Sequence, residues 1–144
     1  MQISFLKAYF IILHSKHEQM KIAIPTDDKQ TIAGHFGRTK GFMTYDIENN
    51  KVISEVYKPN NFTGHAKGHH DHGHEHHQHS HTGIFEALED STTIIARGMG
   101  RRLYDDFTNQ KIEVFITEES DIQTALNKYL KNNLDNNPDS CCSH

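Results

Sequence analysis

A histidine-rich tract divides this chain into two parts that must build a common core around it. Between His65 and His81, nine of the seventeen residues are histidine, and glycines are scattered through the same stretch. Polar, glycine-containing sequence of this kind favours a flexible loop over a helix or strand. The hydrophobic residues therefore lie mainly before and after the tract, where roughly 90–100 residues can bury the core of one domain.

The same tract concentrates potential metal ligands. Neutral imidazole is the commonest protein ligand for zinc, nickel, copper and cobalt, and a flexible loop suits several weak sites better than one closed tetrahedral site. The candidate metal ligands of the tract are His65, His69, His70, His72, His74, His76, His77, His79 and His81. The alternative is a polar insertion that has no biological role in metal binding.

The two ends of the chain need separate interpretation. Ile3 to Leu13 is largely apolar, but this stretch is too short to span a bilayer and lacks the basic start and cleavage site of a signal peptide. Because Met20 opens a clear strand pattern, residues 1–19 are interpreted as an extension from a mis-assigned start. At the other end, residues 132–144 are rich in asparagine and are predicted to form a disordered tail.

Charge and cysteine content restrict the functional class. The net charge is −4 with the histidines neutral, and protonating all 13 histidines would bring it to −4 + 13 = +9. An acidic chain argues against general nucleic-acid binding. Cys141 and Cys142 are adjacent and cannot staple a fold, so a cytoplasmic location without membrane association is expected. Together with His144 they can hold a thiophilic metal, or they are simply reactive thiols in a disordered tail.

The hydrophobic pattern predicts a β-hairpin before the tract and strand–helix alternation after it. Before the tract, strands are expected at residues 22–24, 42–48 and 51–58. After it, strands are expected at 92–96 and 112–116, with helices around 84–88, 103–107 and 122–130. Pro25 is expected to end the first strand, and Ser120 and Gln123 have the spacing of a helix capping box. This order of elements predicts a mixed sheet with helices packed on it.

Three short segments follow one another in a characteristic order. They are Lys21-Ile22-Ala23-Ile24-Pro25-Thr26-Asp27, Gly34-His35-Phe36-Gly37-Arg38 and Ala96-Arg97-Gly98-Met99-Gly100. In this order and at this separation they resemble the dinitrogenase iron–molybdenum cofactor biosynthesis domain family. The resemblance implies a domain over residues 20–131, with a histidine-rich loop at 64–82, and a ribonuclease-H-like α/β fold with a five-stranded mixed sheet. It also implies binding of an iron–sulfur or iron–molybdenum-type cluster.

Two of these segments carry the candidate cofactor-binding residues. His35 stands between glycines that let a ligand approach the backbone closely, although a tight turn fixed by the histidine is the alternative. The loop Gly98-Met99-Gly100 precedes a helix whose N–H groups can receive an anion. Positive charge is added if four arginines converge there: Arg38, Arg97, Arg101 and Arg102. Met99 is either a soft thioether ligand or a core residue. Arg97 stands where relatives often have glycine, which leaves the cofactor specificity open.

The residues favour binding over catalysis. The first hypothesis is a non-enzymatic module that holds a metal–sulfur cluster or metal ion between His35 and the glycine loop and passes it to a protein partner. The alternative is a metal buffer or delivery protein, in which the histidine tract binds nickel, zinc, copper or cobalt. An enzyme is not expected, because the strands offer no clustered carboxylates for a two-metal site and the chain shows no nucleophile–base signature.

Overall fold

The computed structural model describes residues 19–61, 82–88 and 90–141. The strands are β1 (Met20–Thr26), β2 (Gly41–Glu48), β3 (Lys51–Pro59), β4 (Thr93–Ala96) and β5 (Glu113–Ile116). The helices are α1 (Thr82–Leu88), α2 (Arg101–Asn109) and α3 (Ile122–Leu130), with 3₁₀ turns at Phe36–Arg38 and Pro138–Ser140. Within these ranges, none of the helices has the length and hydrophobicity of a membrane-crossing segment. The candidate ligands from His65 to His81, and Cys142, lie outside the described residues.

The strands form one mixed sheet in the order β3-β2-β1-β4-β5. The central strand β1 is antiparallel to β2 and parallel to β4, and β4 is parallel to β5. The carboxyl ends of β1, β4 and β5 therefore lie at the same end of the sheet. The five-stranded mixed α/β sheet expected from the sequence is confirmed.

Two hydrophobic clusters cover the two faces of the sheet. Ala23 of β1 joins the cluster that contains Leu88 of α1 and Phe107 of α2. Its neighbour Ile22 joins the cluster that contains Leu126 of α3. Successive residues of a strand point to opposite faces, so the central strand is buried on both sides and fixes the position of the loop that follows it.

Pro25 does not end the first strand, contrary to the prediction. It pairs with Phe42 in the β1–β2 ladder, and its carbonyl accepts a hydrogen bond from the N–H of Ala33 over 2.8 Å. The nitrogen and carbonyl of a strand residue face the same edge, so the missing N–H of Pro25 lies toward Ala33 and away from β2. The β1–β2 ladder therefore loses no hydrogen bond at the proline.

A β-bulge shifts the faces of β3. Asp46 pairs with Ser54, whereas the next residue of β2, Ile47, pairs with Val52, which leaves one extra residue on β3. Cross-strand partners share a face, so Val52 lies on the face of Ile47 while Val56 lies on the face of Ser54. Strict alternation along β3 would place Val52 and Val56 on one face, but the bulge adds a residue between them and puts them on opposite faces.

The chain after α3 is ordered as far as Cys141, which corrects the prediction of a disordered tail over this part. Residues 133–141, here called the C-terminal arm, are hydrogen-bonded to the end of β5 through Asp135, Asn136 and Asn137. As the outer strand of the sheet, β5 has backbone groups at its edge that need partners. The composition predicts disorder because this segment has few apolar side chains to bury. In the structure, its polar side chains instead provide hydrogen-bond partners for the backbone groups at the edge of β5.

Helix α3 begins one residue later than the predicted capping box requires. Its N-cap is Asp121, whose carboxylate accepts hydrogen bonds from the N–H of Thr124 over 2.9 Å and from its hydroxyl over 2.8 Å. The carbonyl of Ser120 instead accepts a hydrogen bond from the N–H of Ile32 over 2.8 Å. Serine and aspartate are both strong N-cap residues, so the sequence alone could not rank the two positions.

Candidate functional site

Two of the three sequence motifs meet at the carboxyl end of the parallel strands. Residues 34–38 lie beyond β1, and residues 97–100 follow β4. The N–H of Phe36 donates a hydrogen bond to the carbonyl of Gly98 over 3.0 Å. A Cβ placed on Gly98 would overlap the carbonyl oxygen of Gly34, so this close approach of the two loops requires a glycine at position 98.

A buried aromatic ring anchors the loop that carries His35. The side chain of Phe36 is 1% exposed, and its ring centroid lies 5.1 Å from that of Phe42 and 5.6 Å from that of Phe107. The preceding His35 is exposed at the start of the 3₁₀ turn, where its carbonyl accepts a hydrogen bond from the N–H of Arg38 over 3.3 Å. The anchored backbone therefore presents the imidazole at the surface from a fixed position.

Gly34 and Gly37, which flank His35 and Phe36, are not needed for the turn itself. A Cβ on Gly34 or Gly37 would meet no heavy atom within 4 Å, and neither residue has the positive φ that favours glycine. A tight turn closed by the His35 carbonyl is therefore present, but its backbone conformation does not require glycine at either position. The open space leaves the backbone beside His35 accessible to a ligand.

The base of this loop is held by Asp28. Its carboxylate accepts hydrogen bonds from the N–H of Thr31 over 2.7 Å, from the N–H of Gln30 over 2.9 Å and from the hydroxyl of Thr31 over 2.8 Å. These bonds favour the charged form and lower the pKa of Asp28 to about 2. The loop between β1 and His35 therefore starts from a fixed turn.

A cleft of about 290 Å³ lies at this end of the sheet. Its lining comes from the loops after β1 and β4, from the end of β5 with the loop that follows, and from the C-terminal arm. The lining residues are Gly34, Arg97, Ile116, Thr117, Glu118, Asn137 and Ser140. Ligand pockets for drug-sized molecules usually occupy roughly 300–1,000 Å³, so this cleft lies at the lower limit of that range.

The arginines expected to converge are only partly brought together. Arg97 lines the cleft together with Glu118, so one positive and one negative side chain share it. Arg101 forms an ion pair along α2 with Asp105 over 3.4 Å. Arg38 is exposed at the end of the 3₁₀ turn and Arg102 is exposed on α2, and neither lines the cleft. Of these arginines, Arg97 is therefore the one placed to contact a guest.

Met99 and Gly100 differ in their surroundings. The side chain of Met99 is 2% exposed and belongs to the same hydrophobic cluster as Phe36, which matches the core interpretation rather than the thioether ligand. Gly100 is the N-cap of α2, and its carbonyl accepts a hydrogen bond from the N–H of Tyr104 over 3.0 Å. The first turn of α2 contains no acidic residue, and the partial positive charge of a helix N-terminus favours an anion nearby.

The C-terminal arm brings one of the predicted metal ligands to the same end of the sheet. Asn137 and Ser140 of the arm line the cleft. The next residue, Cys141, is partly buried against the hydrophobic cluster that contains Phe36. Among the described residues, no three histidine, cysteine or acidic side chains are grouped as a metal site. The sequence presents the His35 motif and the cysteine pair as separate candidates, whereas the fold places their neighbours Gly34 and Ser140 in the lining of one cleft; His35 and Cys141 are not among its lining residues.

Five lining residues were missed by the sequence reasoning. Ile116 ends β5, and Thr117 and Glu118 directly follow it, so the rule that ligands bind beyond the carboxyl ends of parallel strands could have identified them. Asn137 and Ser140 lie in a segment whose composition predicts disorder, so no local pattern marks them. Their position depends on the pairing of the arm with β5.

Solved structures share this architecture. A crystal structure of a proposed dinitrogenase from Methanocaldococcus jannaschii has a TM-score of 0.61 at 22% identity and covers 83% of this chain and 95% of its own. A proposed NifB protein from Thermotoga has a TM-score of 0.55 at 20% identity, with coverage of 81% and 92%. The apo form of the orange protein from Desulfovibrio gigas has a TM-score of 0.61 at 14% identity, with coverage of 84% and 95%. At these identities the likeness shows the fold.

Sequence comparison identifies the family. No match is found among curated proteins. The sequence model of the family described as dinitrogenase iron-molybdenum cofactor matches residues 18–132, which include all three motif segments. The chain therefore belongs to the dinitrogenase iron-molybdenum cofactor family.

Proposed function

We propose that this protein is a non-enzymatic carrier of a metal–sulfur cluster, of iron–sulfur or iron–molybdenum type, which it holds in the cleft beside His35. Family membership supports the class of guest. The observation that carries the proposal is the junction of the two motif loops, in which the N–H of Phe36 bonds to the carbonyl of Gly98 next to the cleft. A guest bound there is cargo, to be received from or passed to a protein partner in the cytoplasm.

The cleft residues have distinct proposed roles. The exposed imidazole of His35 donates a nitrogen lone pair to a metal ion of the cluster. Arg97 offsets the negative charge of the guest and donates hydrogen bonds to its sulfide or organic-acid atoms. The exposed backbone around Gly34 allows the guest to approach closely. Cys141, which follows the cleft-lining Ser140, is a proposed thiolate ligand, and Cys142 lies one residue beyond the described chain.

Anaerobic purification followed by iron, molybdenum and sulfide analysis tests this proposal. Wild-type protein is expected to contain or take up a stoichiometric cluster, and His35→Ala is expected to lower the cluster affinity about tenfold or more by removing a metal ligand. Asn127→Ala, at an exposed position of α3, is the control and should bind like the wild type. Protein that acquires no cluster from iron and sulfide, or a His35→Ala variant that binds like the wild type, would contradict the proposal.

The histidine tract supports a second proposed function, the buffering or delivery of divalent metal ions. Its support is the sequence, since nine imidazoles occur between His65 and His81 and imidazole binds nickel, zinc, copper and cobalt. Calorimetry with each of these ions should show uptake by the full chain and its loss when residues 65–81 are deleted. Unchanged uptake after the deletion would exclude the tract as the binding element. Cluster uptake by the deleted chain would separate the two functions.

A further inference from the structure

The C-terminal arm is fastened to the end of β5 by consecutive polar side chains. The carboxylate of Asp135 accepts hydrogen bonds from the hydroxyl of Thr117 and from the N–H of Glu118, the second over 2.9 Å. The side-chain carbonyl of Asn136 accepts a hydrogen bond from the N–H of Ile116 over 3.0 Å. These bonds satisfy polar groups at the carboxyl end of an outer strand, where the sheet itself provides no partner.

The next residue continues this attachment and also lines the cleft. The N–H of Asn137 donates to the carbonyl of Ile116 over 2.8 Å, and its side-chain amide donates to the carboxylate of Asp135 over 3.3 Å. The 3₁₀ turn Pro138–Ser140 then leads to Ser140, which is the second arm residue in the cleft. These hydrogen bonds therefore hold the arm to β5 at and just before Asn137 and Ser140, the two residues that the arm contributes to the cleft.

We infer that Asp135 is a positioning residue for the guest site and that the C-terminal arm is one wall of that site. The inference rests on the proposed function of the cleft. Thr117 and Glu118 both line the cleft and both donate to the Asp135 carboxylate, so this side chain links the β5 wall of the cleft directly to the arm.

The same hydrogen bonds determine where Cys141 lies. This residue follows the cleft-lining Ser140 and packs against the cluster that holds Phe36, the anchor of the His35 loop. If the arm detaches from β5, the cleft loses Asn137 and Ser140, and the proposed thiolate ligand moves away with them. The guest then keeps its contacts with the two motif loops and with the end of β5.

The test uses the full chain in a Cys142→Ser background, so that Cys141 is the single thiol. Asp135→Ala is compared with Asp139→Ala, since Asp139 is an exposed acidic residue of the same arm and serves as the control. Two quantities are measured: the alkylation rate of Cys141 in the guest-free protein, and the affinity for a cluster reconstituted from iron(II) and sulfide. Asp135→Asn keeps one acceptor oxygen, so it should restore part of the affinity and serves as a milder variant if Asp135→Ala fails to fold.

Asp135→Ala is expected to accelerate alkylation of Cys141 and to weaken cluster binding about tenfold, which is the usual effect of removing an outer-shell partner. Asp139→Ala should change neither quantity. Faster alkylation with unchanged cluster affinity would overturn the inference while leaving the proposed function intact, and unchanged alkylation would overturn it as well. If neither the wild type nor the Cys142→Ser parent takes up a cluster, the proposed function fails, and the inference fails with it.

Discussion

The N–H of Phe36 donates a hydrogen bond to the carbonyl of Gly98 over 3.0 Å, and this bond joins two loops that are far apart in the sequence. The Gly34 carbonyl oxygen fills the space that a Cβ on Gly98 would occupy. We expect Gly98→Ala to push the loops apart and to lower the free energy of unfolding by about 1–3 kcal/mol, as overpacking does in a tight site. Urea denaturation measures the change.

The control for Gly98→Ala is Gly37→Ala, because a Cβ on Gly37 meets no heavy atom within 4 Å. Its free energy of unfolding should stay within about 0.5 kcal/mol of the wild type, as is usual for an unstrained surface position. Equal effects of the two substitutions would show that the close contact between Gly34 and Gly98 does not form.

Phe36 should contribute far more to stability than the neighbouring His35. Its ring is 1% exposed and packs against Phe42 and Phe107, so Phe36→Ala is expected to cost about 3–5 kcal/mol through lost burial and the cavity it leaves. The exposed His35 should tolerate alanine within about 0.5 kcal/mol. Chemical denaturation of both variants checks this, and a large loss in His35→Ala would mean that the histidine has a structural role.

The loop before His35 should show a defined pH dependence. Hydrogen bonds from Thr31 and Gln30 lower the pKa of Asp28 from 3.8 to about 2 in the folded protein. Because the folded pKa is depressed, the ionised carboxylate stabilises the fold fully above about pH 4, and the contribution disappears as the pH falls through about 2. The wild type should therefore melt at a higher temperature than Asp28→Asn at pH 6, and the difference should shrink toward pH 2.

Asp139→Asn, which changes an exposed carboxyl group on the C-terminal arm, is the control for this pH series. Its melting temperature should follow that of the wild type throughout. A constant difference between wild type and Asp28→Asn from pH 6 to pH 2 would contradict the assignment of the pH effect to Asp28.

The corrected start of α3 can be tested directly. Asp121 accepts hydrogen bonds from the N–H and hydroxyl of Thr124, so Asp121→Ala should lower the free energy of unfolding by about 1 kcal/mol, the usual value for an N-cap. Ser120 interacts through its carbonyl with Ile32, and Ser120→Ala keeps this bond. A larger loss in Ser120→Ala than in Asp121→Ala would favour the capping box predicted from the sequence.

Features of the fold that depend on local sequence were predictable. The predicted hairpin before the tract is confirmed, and its turn is Asn49-Asn50: both residues have positive φ, at 51° and 63°, which asparagine tolerates in a tight turn. The bulge in β3 was not predictable, because it depends on the register with Asp46 and Ile47. A one-residue offset between strands leaves no signal in the alternation of either strand.

The candidate site was likewise predictable only where it depends on local sequence. The motifs around His35 and Gly98 are visible in the sequence, whereas the contact between them is a product of the parallel arrangement of β1 and β4. The arm residues Asn137 and Ser140 could not be predicted, because their place in the cleft depends on hydrogen bonds to β5. Polar residues that satisfy a sheet edge have the same composition as a disordered tail.

Pulsed electron paramagnetic resonance of the cluster-loaded protein tests the central claim most directly. The chain should lack residues 65–81, so that the histidine tract cannot contribute, and it should be reconstituted anaerobically with iron(II) and sulfide. A bound cluster with one imidazole nitrogen coupling, which disappears in His35→Ala, is the predicted result. A cluster without nitrogen coupling, or a coupling that persists in His35→Ala, would contradict the placement of the guest beside His35.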